Sequence, residues 1–365
     1  MTERFLPLFE VTRGRIVEST HYGAIAIVDS RGKLYYSYGD PQTVAFLRSS
    51  AKPFQALPFV ERGGVEHFGF TPRELALSCA SHETAQFHLD AVRALQEKIG
   101  IHESDLQCGP HLPGDPEMLK KVIINNITPT ANFNNCSGKH TAMLAHAKMR
   151  GLPLGTYLER DHPIQQDILT TFAEMCGIER DKVELGIDGC SAPNFAVPLL
   201  NAALGFARLC DPQSTAGMSA SLPKARADAC RKITSAMTSH SEMVSGYGEF
   251  DCELMKVGKG KILTKRGAEG FQATGLLPGA LSADSRGIGI AFKVSDGDAG
   301  RMGEDLATHN RVRPAVTLEI LRQLGALNAS QLKQLAEFGP TLPIKNHRDI
   351  IVGESRPVFK LNKEN

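Results

Sequence analysis

Apolar and polar residues are mixed in a strand-like way over Leu8–Ser19 and again over Ala24–Ser37. Asp29-Ser30-Arg31-Gly32 lies between apolar runs and reads as a hairpin turn. The apolar positions from Phe46 to Arg62 suit a helix, with Pro53 in its first turn or at a kink. Thr71-Pro72-Arg73-Glu74 is a helix start: Thr caps, Pro takes the first helical position, and Glu follows three after Thr. Helical periodicity runs over Thr84–Ile99 and Ile164–Cys176. Pro- and Gly-bearing joints at 111–116 and 187–193 interrupt this region. Short β-prone runs bounded by Gly follow at Leu254–Val257, Lys261–Lys265 and Gly287–Val294, and Pro314–Leu324 reads as a last long helix.

This order predicts one interleaved domain over residues 1–365, not an N-domain followed by a C-domain. An antiparallel sheet would draw on both chain ends, with a large helical insertion at about 71–240. No repeat or low-complexity tract breaks the pattern.

Composition narrows the function. The chain is 42% hydrophobic and 22% charged, which suits a folded enzyme-sized domain. Its 41 basic and 40 acidic residues give a net charge of +1, so no basic excess draws it to nucleic acid or an anionic membrane. No apolar run is long enough to span a bilayer, and Met1–Phe9 has no signal-like apolar core, so a cytoplasmic home is expected. The eight Cys are scattered, as buried cytosolic thiols usually are.

Five segments carry candidate chemistry. Arg48-Ser49-Ser50-Ala51-Lys52 contains Ser-x-x-Lys, which on a helix lets a neutral amine reach a hydroxyl. The spacing recurs at Ser30–Lys33, Ser221–Lys224 and Ser330–Lys333, but only the Ser49 copy opens a helix after the N-terminal strands. Lys265-Arg266-Gly267 ends a late strand, where serine β-lactamases and penicillin-binding proteins carry Lys-Thr-Gly. An exposed basic turn is the plainer account of it. Ser81, in Ser78-Cys79-Ala80-Ser81-His82-Glu83, stands where a second site serine is expected, or caps a helix. Asn132–His140 packs amides, a thiol, an ammonium and an imidazole into nine residues, and Asp188–Asn194 is a second polar loop. Two thiolates with nitrogen or oxygen donors would suit zinc, although no Cys-x-x-Cys is present and buried thiols would serve as well. Gly246–Asp251 reads as a tight turn. No His-Glu-x-x-His, phosphate loop or Gly-x-Ser-x-Gly occurs.

Taken together, Arg48–Lys52, Ser78–Glu83, Asn135–His140, Asp188–Cys190 and Lys265–Gly270 resemble the Rhizobium etli-type L-asparaginases, the thermolabile asparaginase or asparaginase II family. The resemblance implies a serine β-lactamase/glutaminase-like α/β (α+β) fold, a homodimer, and hydrolysis of L-asparagine to L-aspartate and ammonia. It implies two Ser–Lys tandems, Ser49 with Lys52 and Ser81 with Lys265. It also implies a zinc site of Cys136, Lys139, Cys190 and water. Ser49 would attack the amide carbon with Lys52 as base, although Ser81 could be the attacking group. Arg48, Asn135 and His140 are the candidates for the substrate's α-carboxylate and α-amino groups. The rival readings are a glutaminase, a β-lactam or peptide hydrolase, and a zinc-binding protein without turnover.

Overall fold

A computed structural model describes residues 4–213, 222–298 and 311–364. They fall into two compact units.

The first unit combines residues 1–50, 197–214 and 257–365. Among the described residues it carries a nine-stranded sheet. Its main path runs Leu342–Lys345, Ile351–Pro357, Leu6–Arg13, Ile16–Asp29, Ile288–Val294, Phe271–Leu276 and Ile262–Arg266. Every neighbouring pair on that path is antiparallel. Leu34–Tyr38 also pairs with Ile16–Asp29 and carries the short strand Asn362–Lys363. Strands from both chain ends therefore share one sheet, as the pattern of short apolar runs at the two ends predicts.

The hairpin turn at Asp29 is present. The Asp29 N–H donates to the Lys33 carbonyl, and the Gly32 N–H donates to the Asp29 carbonyl. Ile288–Val294 is buried at almost every position and so must be covered on both faces. Helix Leu199–Cys210 packs against this strand and its two neighbours. The approach is so close that a Cβ on Gly289 would lie 1.7 Å from the Ala203 carbonyl oxygen, and one on Gly275 2.3 Å from the Cys210 sulfur. At Gly289 the helix backbone itself occupies the space of a side chain, and at Gly275 the Cys210 side chain does, with the Phe206 carbonyl oxygen 3.2 Å away.

The second unit combines residues 51–196 and 215–256 and is mainly helical. Helix Lys52–Glu61 is buried from Lys52 to Val60. It packs against helices Ser137–Met149, Pro163–Cys176 and Lys224–Ser239. A helix apolar on all sides belongs in the middle of a bundle. Phe54 meets Phe172 edge-on at 5.7 Å, and Phe172 stacks on Phe195 at 4.7 Å. Rings buried this fully contribute roughly 2–3 kcal/mol each. Arg226 is buried between Glu61 and Glu174, so its charge enters the bundle with partners. The capping box at Thr71 forms as its residues predict, with Thr71 and Glu74 each satisfying the other's backbone N–H. A hairpin of Glu184–Ile187 with Pro193–Ala196 completes the unit.

Three expected elements differ. Leu254–Val257 is not a strand but the end of helix Phe250–Val257. Four residues are too few for periodicity to separate the two, and the buried Phe250, Asp251, Leu254 and Met255 lie at helical spacing. The helix expected from Phe46 begins at Lys52, after a 3-10 turn over Arg48–Ala51. Arg48 takes a left-handed φ of 51°, which no α-helix continues through. The helix expected from Thr84 starts at Gln86, because Thr84 is also left-handed, at φ 64°. None of the described helices is long and apolar enough to cross a membrane.

Candidate active site

In the second unit the chemistry gathers around Lys52. This residue opens its helix with its side chain turned inward, and it is 1% exposed. Its Nζ lies 2.7 Å from the Ser81 hydroxyl oxygen and 2.5 Å from the Ala80 carbonyl oxygen. Burial pushes the Lys52 pKa down, and the charge of Lys139 adds to this, against the pull of the Cys136 and Cys190 sulfurs. A lysine whose charge is disfavoured is the kind that can accept a proton from a hydroxyl.

Ser81 sits in the irregular segment between helices Pro72–Ser78 and Gln86–Ile99. Backbone bonds hold this segment from both sides. The Ser81 N–H donates to the Val244 carbonyl, His82 N–H to Asn135, and Glu83 N–H to Ser245. The Gly246 turn expected beside the site follows directly, against Glu83. His82 accepts the Thr84 N–H at Nδ1, which places its proton on Nε2, 2.9 Å from the Ser137 hydroxyl.

Cys136 caps helix Ser137–Met149, and Lys139 and His140 lie in its first turn. Helix and partner meet backbone to backbone here: a Cβ on Gly138 would lie 2.5 Å from the Leu77 carbonyl oxygen. Cys190 comes from the turn before Pro193 and reaches the same place. The Lys139 Nζ is 2.9 Å from the Cys190 sulfur. The Cys136 thiol is held well below its ordinary value by its hydrogen bond with Cys190 and by the charges of Lys52 and Lys139. Cys190 is raised by the same bond and by burial, so the two sulfurs share one proton. Burial disfavours the Lys139 ammonium, but the two sulfurs outweigh it and its pKa is raised. Asn135, half-buried, places its side-chain oxygen 3.1 Å from the Cys136 sulfur.

The donors here are two sulfurs and one amine. Among the described residues no three His, Cys, Asp or Glu side chains converge as a metal-binding group, so a lysine would have to be the third donor. Soft thiolates and an amine are acceptable to zinc in a four-coordinate site. The buried positive charge of Lys139 between two thiols stands where a metal cation would replace a proton. The residues present therefore fit the group.

In the first unit Ser49 is half-buried in the 3-10 turn Arg48–Ala51, beside the half-buried Arg48. Lys265 is buried on strand Ile262–Arg266. Ser50, which the motif reading passed over, ties the two segments: its hydroxyl donates to the Lys265 carbonyl at 2.6 Å. The turn after Lys265 is also fixed. A Cβ on Gly267 would lie 2.5 Å from the Leu47 carbonyl oxygen, and the buried Arg313 donates to the Gly267 carbonyl at 2.9 Å. Asp298 in turn binds the Arg313 guanidinium and the first N–H groups of helix Val312–Gln323.

Thus Lys52, Ser81, Cys136, Lys139, His140 and Cys190 come together in the second unit, while Ser49, Arg48 and Lys265 lie in the first. Besides Ser50, Tyr157 was not singled out. Its hydroxyl is 2.6 Å from Nδ1 of His140. No local pattern marks it, because its partners are 17 and 50 residues away in sequence.

The model of the family described as L-asparaginase II matches residues 9–357. The chain belongs to the L-asparaginase II family. It covers both units and every candidate residue above. No curated protein matches the chain. Among solved structures, it is similar to Mglu in its native form in 4.3 M NaCl, at 14% identity and a TM-score of 0.43, covering 84% of this chain and 61% of that one. It is also similar to a probable glutaminase from Bacillus subtilis complexed with 6-diazo-5-oxo-L-norleucine, at 12% identity and a TM-score of 0.38, covering 83% and 84%. The chain thus spans less than two thirds of Mglu.

Proposed function

We propose that the chain is an L-asparaginase that hydrolyses the side-chain amide of L-asparagine by Ser–Lys chemistry. Family membership supports an amidohydrolase of the asparaginase/glutaminase type. The observation that carries the mechanism is the buried Lys52 amine 2.7 Å from the Ser81 hydroxyl.

Ser49, three residues before Lys52, attacks the amide carbon. Its proton passes to the neutral Lys52 amine as the Oγ–C bond forms. Lys52 and Ser81 then hand a proton to the departing nitrogen, the C–N bond breaks, and ammonia leaves. A water attacks the β-aspartyl ester and releases L-aspartate. Burial and the charge of Lys139 favour the neutral form of Lys52, and Lys265 is the remaining member of the two Ser–Lys tandems that the resemblance implies. Backbone N–H groups at the start of the Lys52 helix stabilise the oxyanion. Arg48, Asn135 and His140 hold the α-carboxylate and α-amino groups. When bound by Cys136, Lys139 and Cys190, zinc supplies a fixed positive charge that orients polar groups. The homodimer and the cytoplasmic setting rest on the resemblance and on the sequence, and sizing in solution checks the first.

The deciding experiment is ammonia release from L-asparagine and from L-glutamine, with mass spectrometry of the protein quenched during turnover. A β-aspartyl adduct on Ser49 supports the scheme, and one on Ser81 exchanges the roles of the serines. Turnover of glutamine at an equal or higher kcat/KM overturns the asparaginase assignment.

A further inference from the structure

His140 and Tyr157 are both fully buried. The Tyr157 hydroxyl oxygen accepts the Gln107 backbone N–H at 3.0 Å and lies 2.6 Å from Nδ1 of His140. A phenol has one proton to donate, and buried polar hydrogens are almost always paired. If Nδ1 carried the imidazole proton, two donors would point at the same oxygen and the phenolic proton would be stranded. Tyr157 therefore donates to Nδ1, and the imidazole proton is on Nε2. With Nδ1 bare and a single proton on Nε2, the ring is neutral. Nε2 is buried and makes no aligned hydrogen bond among the described residues, and its polar neighbour is the Cys190 sulfur. That N–H thus faces the polar cluster on the side of Cys190.

We propose that Tyr157 is a positioning residue that fixes His140 as a neutral Nε2–H donor, so that His140 holds the substrate's α-carboxylate and not its α-ammonium. An N–H can donate to a carboxylate oxygen but has nothing to offer an ammonium. The opposite tautomer would present a lone pair and reverse the preference. The assignment of substrate rests on the amidohydrolase reading, whereas the tautomer does not.

The full-length protein labelled with 15N-histidine tests the tautomer without any turnover. Long-range 1H–15N correlations at neutral pH should show His140 protonated at Nε2 and bare at Nδ1, and Tyr157→Phe should yield a mixture of tautomers. A wild-type proton on Nδ1 overturns the proposal. Calorimetry with L-aspartate and with β-alanine, which lacks the α-carboxylate, tests the second half. Tyr157→Phe should weaken L-aspartate binding about five- to tenfold, the worth of one hydrogen bond, and leave β-alanine unchanged. Equal loss for both ligands marks Tyr157 as merely structural and overturns the carboxylate assignment. If Tyr157→Phe does not fold, the comparison passes to His140→Gln, which keeps an N–H donor and should retain the preference, and His140→Leu, which should lose it. Failure of all ammonia release would reject the amidohydrolase reading and leave the tautomer to be decided by the spectra.

Discussion

The Lys52 amine and the Ser81 hydroxyl lie 2.7 Å apart, and neither side chain is more than 3% exposed. Water cannot compete for that contact, and burial disfavours the Lys52 charge. The pair is therefore set to pass a proton. Lys52→Met should lower kcat by about 10³-fold, because general base catalysis contributes about 10²–10⁴-fold. Ser81→Ala should lower kcat by at least about 10²-fold with little change in KM. Steady-state ammonia release measures both, with circular dichroism to confirm folding. A Lys52→Met protein at near-normal turnover would remove the amine from the chemistry.

Ser49 occupies a different kind of place, a half-buried turn bounded by the left-handed Arg48. Ser49→Ala should abolish turnover and adduct formation alike. Ser50→Ala tests something else. Its hydroxyl is already engaged by the Lys265 carbonyl, so its loss should cost about 1 kcal/mol of stability and leave adduct formation intact. Urea unfolding and quench mass spectrometry separate the two serines. A lost adduct in the Ser50 variant would transfer the nucleophile to Ser50.

Local signals in the sequence translated directly into structure. The capping box at Thr71 and the Asp29 turn are made by neighbouring residues, and the strand-like runs at Leu8–Ser19, Ala24–Ser37, Lys261–Lys265 and Gly287–Val294 supplied strands to one sheet. What depends on distant neighbours did not translate. Leu254–Val257 is apolar enough for a strand, yet it continues a helix whose earlier residues set its face. Tyr157 acquires its role from Gln107 and His140, and nothing around it in sequence signals that. The motif marked Lys52, but its depressed pKa comes from burial by a helical bundle assembled from three remote segments. Residue types announce a possible reaction, and long-range packing decides their protonation.

Gly138 tests how closely the thiol-bearing helix is fitted. An added Cβ would stand 2.5 Å from the Leu77 carbonyl, a backbone atom that cannot swing away. Gly138→Ala should cost about 1–3 kcal/mol in urea unfolding, despite alanine's better helix propensity. It should also lower activity, since Cys136, Lys139 and His140 move with the helix. A stabilised, fully active variant would contradict the close approach.

His88, His140 and His146 each have a pKa pushed down to about 4 by burial, from an ordinary value of 6.5. The unfolded chain takes up these protons below about pH 6.5, while the folded protein does not until about pH 4. Folding stability should therefore be fully present above pH 6.5 and fall as pH drops towards 4. Each histidine contributes a slope of at most about 1.4 kcal/mol per pH unit in that window. Chemical unfolding at several pH values checks the sign. His146→Gln, with its titration removed, should show a shallower slope, and an unchanged slope would mean that His146 is not held neutral.

The sulfur pair gives the last test. Cys136 and Cys190 share a proton beside a Lys139 ammonium, an arrangement that a metal cation could replace at little electrostatic cost. Purified protein equilibrated with zinc and then desalted should hold about one equivalent, and Cys190→Ser should hold far less, because the softest part of the donor set is gone. Chelation should lower the melting temperature of the wild type, since a ligand at about a hundred times its Kd adds roughly 2.7 kcal/mol to the folded state. The Cys190→Ser protein should not respond to chelator. Equal zinc content in both proteins would place any bound metal elsewhere and leave Lys139 as a plain counter-ion to the two thiols.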